Sequence, residues 1–102
     1  MAKIEQSIQR ACLDYLLLRR HFVWKVSTVG IKKENGSFIP TGKKGVSDIV
    51  GITKDGKFLA VEVKAPKGIL SEAQSDFLLQ IKNRGGISLV ARSVNDLINA
   101  GL

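Results

Sequence analysis

Two apolar runs, Val46-Ser-Asp-Ile-Val-Gly-Ile-Thr53 and Phe58-Leu-Ala-Val-Glu-Val-Lys64, are separated only by Lys54-Asp55-Gly56-Lys57. Asp-Gly between β-rich runs is among the strongest short hairpin signals. The pair predicts an antiparallel hairpin around which the rest of the chain must pack. Upstream, Ile4, Ile8, Ala11, Cys12, Tyr15 and Leu16 recur at helical spacing and predict a helix from about Ala2 to Arg20. Phe22 to Val29 reads as a strand. Gly30 to Gly45 carries glycines, Asn35, Pro40 and lysines, which predicts a hairpin or loop turning at Asn35-Gly36, with Phe38-Ile39 as a short return strand.

Downstream, Ser71 with Gln74 forms a capping-box pattern. It opens a helix with Phe77, Leu78 and Ile81 on its apolar face, closing at Gly85-Gly86. Ile87 to Ala91 is nearly all apolar, as a buried inner strand would be. Ser93 is placed to cap a last helix reaching about Ala100. The predicted order is α-β-β-β-β-α-β-α, an α/β chain with a mixed α+β sheet. With 102 residues, it has room for one domain spanning the whole chain.

Composition narrows the chemistry. A single cysteine, Cys12, allows no internal disulfide and no cysteine-based zinc site. A single histidine, His21, rules out multi-histidine metal sites and has no obvious carboxylate partner in sequence. No apolar run approaches the ~20 residues needed to span a bilayer, and the N-terminus lacks the apolar core of a signal peptide. A reducing, cytoplasmic location is the expectation. The formal net charge is +7. Between Arg19 and Lys67 eleven basic residues face four acids, so this segment carries the whole excess. Such a balance draws polyanions, although a lysine-rich surface can also serve solubility alone.

The polar residues inside the apolar runs are the sharpest functional signal. A period of two puts Glu62 and Lys64 on one face of their strand, with Val61 and Val63 on the other, toward the core. Asp48 lies on the neighbouring strand. A charge in such a setting costs free energy unless something pairs with it. Two carboxylates with an ammonium beside them make a hard-oxygen site for a divalent cation, which can generate a nucleophile and stabilise phosphoryl charge. The structural alternative is an exposed Glu62–Lys64 ion pair with Asp48 capping a turn. Cys12 reads as core, His21 as structural, and Trp24 as packing or as a surface on which a base could stack.

At this point the chain resembles a known family. An acid, a short hairpin and Glu-x-Lys in that order are similar to the core of the PD-(D/E)XK nuclease superfamily. Closer still, the chain resembles the VRR-NUC domain, the virus-type replication–repair nuclease. Gly45-Val-Ser-Asp-Ile-Val-Gly-Ile52, Phe58 to Gly68, Leu70 to Phe77 and Gly85 to Val94 carry the likeness, and the first helix, with Glu5 and Gln9, extends it. Glu-x-Lys alone is common by chance; the blocks in this order are specific. One departure is Ser47, where the superfamily pattern places a proline.

The resemblance implies a restriction-endonuclease-like core. It implies Mg²⁺ or Mn²⁺ held by Asp48, Glu62 and the Val63 backbone carbonyl, with Glu5 contributing directly or through water. Lys64 would position the attacking water and offset negative charge, and Gln74 would stand near the reacting groups. For Glu5 the bland reading is a favourable acid in a first helical turn; for Gln74 it is the capping box alone. Lys32, Lys33, Lys43, Lys44 and Lys67 are candidate contacts to the DNA backbone. The implied activity is metal-dependent, structure-selective DNA endonuclease cleavage, at branched DNA such as four-way junctions. No element looks like a recognition helix for sequence readout. A homodimer would set one site at each strand of a junction, and a phage or bacterial origin with a role in recombination or repair fits the resemblance. Two alternatives stand beside it: a non-catalytic basic nucleic-acid-binding protein, and a module of a larger replication or repair complex.

Overall fold

A computed structural model describes residues 3–26, 30–32, 38–40 and 43–102, with side chains described for all of these except 30–32 and 38–40. The elements run α1 (Lys3–Leu18), β1 (Phe22–Lys25), β2 (Gly30–Lys32), β3 (Phe38–Pro40), β4 (Ile49–Ile52), β5 (Phe58–Val63), α2 (Glu72–Asn83), β6 (Ile87–Ala91) and α3 (Val94–Asn99). The main sheet has the order β1-β4-β5-β6. β1 and β5 flank β4 in antiparallel register, and β6 joins β5 in parallel. The parallel pair needs a crossover, and α2 supplies it. This mixed α+β architecture is compatible with the restriction-endonuclease-like core that the resemblance implies.

The predicted hairpin is present. Gly56 adopts φ 89°, and the Thr53 N–H meets the Lys57 carbonyl at 2.8 Å to close the turn. On one face of the sheet, Val23, Ile49, Leu59, Val61, Val63 and Ala91 pack with Cys12 and Leu16 of α1 and Leu97 of α3. On the other, Val50 and Ala60 meet Phe77 and Leu78 of α2. Alternation along β5 therefore splits the strand between two cores, which is why its burial is nearly continuous.

Four sequence expectations need correction. The order holds one strand more than predicted: Gly30–Lys32 pairs with Phe38–Pro40 as a separate two-stranded sheet. The Asn35-Gly36 turn and Val29 lie outside the described residues. β6 is an edge strand, not an inner one; its apolar residues are demanded by helices on both faces rather than by a strand on each side. α1 stops at Leu18 because Arg20 takes φ 70°, letting the His21 and Arg20 N–H groups close on the Leu16 and Leu17 carbonyls. No glycine marks that stop. Finally, Ser93 sits at the N-cap of α3 but its side chain makes no capping bond. Among the described residues no helix is long and apolar enough to cross a membrane.

Candidate active site

Register brings the acids together. Ile49 pairs with Val61 in the β4–β5 ladder, so Asp48, just before β4, comes opposite Glu62. The Val63 N–H donates to Asp48 Oδ2 at 2.8 Å and fixes that carboxylate against the end of β5. The Val26 N–H donates to the Asp48 carbonyl at 2.7 Å, holding the backbone from the β1 side.

Glu62 is 2% exposed, so the open ion-pair alternative does not describe it. Its Oε1 accepts from Gln74 Nε2 at 3.0 Å, while its buried Oε2 has no hydrogen-bond partner. Burial is the main force pushing the Glu62 carboxyl from the usual 4.5 up to about 8. The Asp48 charge adds to the rise, and the Lys64 ammonium opposes it. Glu62 therefore tends to keep its proton at neutral pH in the metal-free protein. An orphaned carboxylate oxygen beside a second carboxylate is a donor set that suits a hard divalent cation.

Gln74 performs two tasks at once. Its Oε1 accepts the Ser71 N–H at 2.9 Å, and Ser71 Oγ accepts the Gln74 N–H at 3.1 Å, completing the capping box. Its remaining amide donor is the one on Glu62. The start of α2 is seated by Gly45, at φ 81°, where any Cβ would overlap the Ala73 carbonyl. Asp48, Glu62, Gln74, Ser71, Ser47 and Lys44 line one cleft of about 210 Å³.

The other predicted residues fall around this centre. Lys64 follows Glu62 by two residues and is partly buried. Glu5 reaches from α1 to the same strand end, but its Oε1 accepts the Ala65 N–H at 3.2 Å. Among the described residues, no group of three or more His, Cys, Asp and Glu side chains is gathered closely enough to hold a metal ion. The acids therefore stand as a pair, with Glu5 one residue beyond Lys64. Lys43, Lys44 and Lys67 are exposed. Lys33 and the Lys32 side chain lie outside what the structure describes.

The sequence reading gave no site role to two residues near the cleft. Ser47 is fully buried with an unpartnered hydroxyl against the cleft. Arg92, just past β6, donates from Nη1 to the carbonyls of Ala65 at 2.7 Å, Pro66 at 3.4 Å and Gly68 at 2.9 Å. It holds the turn that follows Lys64. Only the polar break after an apolar strand hinted at Arg92, and nothing in sequence says which loop it meets.

The model of one protein family, the VRR-NUC domain, matches residues 5–95. That span runs from Glu5 past Arg92 and holds every residue of the cleft. No curated protein matches the chain.

Proposed function

The chain belongs to the VRR-NUC domain family, a nuclease-type domain that acts on DNA, and we propose that it is a metal-dependent, structure-selective DNA endonuclease. The observation that carries the proposal is the Asp48–Glu62 pair: two facing carboxylates, one buried with an unpartnered oxygen, on a cleft beside a lysine.

Asp48 and Glu62 Oε2 would hold Mg²⁺ or Mn²⁺, with the Val63 carbonyl as a further oxygen and Glu5 contributing through water. A divalent cation held there would polarise the phosphate and favour hydroxide at neutral pH. The chain's own groups do the rest. Gln74 holds Glu62 by Oε1 and leaves Oε2 without a protein partner, free to serve a cation. Lys64 orients the attacking water and offsets charge on the phosphate oxygens. Water adds to phosphorus in line, and the opposite phosphorus–oxygen bond breaks. Arg92 and Glu5 fix the turn that presents Lys64 and Lys67. Lys43, Lys44 and Lys67 contact backbone phosphates without reading sequence, which favours recognition of DNA shape, a four-way junction first. A single 102-residue domain acting as a homodimer would offer one site per junction strand.

The test is cleavage of labelled junction, flap, duplex and single-stranded DNA by the parent protein and Asp48→Ala, in Mg²⁺, Mn²⁺ or EDTA. Metal-dependent cutting of the junction, lost in the variant, is expected. Binding without cutting in every metal would overturn the enzyme and leave a basic DNA-binding domain.

A further inference from the structure

At the opposite end of the sheet from the carboxylates, four large apolar side chains stand in solvent on one face. Phe22, Ile52 and Phe58 are direct cross-strand neighbours through β1, β4 and β5. Their exposures are 71%, 45% and 41%, and Trp24, two residues along β1 from Phe22, is 48% exposed. The Phe22 and Trp24 rings meet edge to face, with centroids 5.7 Å apart. α2 lies over β5 and β6 on this face and reaches Val50 of β4, and among the described residues it leaves Phe22, Trp24, Ile52 and Phe58 exposed.

Cations flank the strands that carry the rings. Arg19 and Arg20 are exposed at the end of α1, and Lys54 and Lys57 are exposed in the β4–β5 turn, with Asp55 as the one acid of that turn. The two segments are tied together: the Lys54 N–H donates to His21 Nδ1 at 3.1 Å. The charges of Lys54 and Arg19 both reach that imidazole and, after burial, help hold it below its usual range. Along β4, at ~3.3 Å per residue, the Phe22–Ile52–Phe58 row lies about 13 Å from Asp48, and Trp24, opposite Val50, lies about 7 Å from it.

We propose that this face is a second nucleic-acid contact, one that takes the unpaired bases of a single-stranded segment. Exposed rings stack on bases whatever their identity, and flanking cations hold the phosphates between them. A paired duplex hides the base faces that the rings need. A second copy of the chain fits less well. Face-to-face docking would set both sets of cations against each other, and four side chains fall short of the roughly 800 Å² per partner of a stable interface. The proposal deepens the DNA-acting reading above, adding strand opening to the shape the protein selects, but its test needs no cutting.

Trp24 is the single tryptophan, so all tryptophan emission comes from a ring of the patch. The metal-free protein in EDTA is titrated with a twelve-residue oligo(dT) and with a blunt duplex of equal length, while labelled DNA anisotropy gives the affinities. Oligo(dT) should quench Trp24 saturably, and the duplex should bind without quenching. Phe22→Ala and Phe58→Ala, checked by thermal melts, should each weaken oligo(dT) about ten-fold and leave duplex binding within two-fold. Asp48→Ala should quench as the parent does, so loss of the nuclease reading and loss of this one are separately visible. Equal quenching by duplex, or oligo(dT) binding with Trp24 unmoved, would overturn the proposal. So would Trp24 emission that changes with protein concentration without DNA, together with a sedimenting dimer that Phe22→Ala abolishes.

Discussion

Glu62 in the metal-free protein prefers its proton. Because its folded value is raised from 4.5 to about 8, the stability it favours is present below its unfolded value and is lost as pH rises through that window. Glu62→Gln removes the loss without changing shape. The metal-free variant should melt at least about 5 °C above the parent at pH 8, with little difference near pH 4.5; equal melting curves at pH 8 would refute a buried, proton-holding Glu62. His21 has the opposite sign. Burial, Lys54 and Arg19 hold it below its usual 6.5, so its contribution is present above that value and is lost as pH falls below it. His21→Gln should flatten the acid limb of the melting profile between about pH 6.5 and 5. The buried Cys12 thiol is pushed up to about 11 by desolvation and by Asp96, so it should resist a thiol reagent at pH 8 until the protein unfolds.

Elements, not single side chains, decide where the cleft forms, and α2 is the element to test. Gln74→Glu keeps the capping box, where Glu serves as well as Gln, but removes the donor on Glu62 and adds a carboxylate beside it. If capping were its only task, the change would be silent; the expected outcome is at least a ten-fold loss of cutting with α2 intact by circular dichroism. Much of this was legible in sequence. Glu62 and Lys64 interrupt an apolar strand at a period of two, and the Asp-Gly turn dictates which strand must face them. Ser71 and Gln74 announced their own cap. The rest depends on contacts between segments far apart in the chain. Arg92 reaches back to the 65–68 turn only because the crossover lays β6 beside β5. β6 reads like an inner strand because two helices sandwich it. Arg20 closes α1 from a left-handed conformation that its residue type does not advertise.

For the whole molecule, a +7 excess gathered between Arg19 and Lys67 sets both ends of the sheet against a polyanion, the carboxylate cleft at one and the aromatic face at the other. DNA affinity should fall steeply with salt, with each released phosphate contact adding to the slope. The cleft works against this field: it places two acids where DNA must approach, and the account explains them as cation ligands. The most direct measurement is therefore single-turnover cleavage of a labelled four-way junction in Mg²⁺ by the parent and by Glu62→Gln. The account predicts that the parent cuts, and that the variant binds the junction as tightly but cuts at least about a hundred-fold more slowly. Equal cutting by both, or binding with no cutting by either, would contradict it.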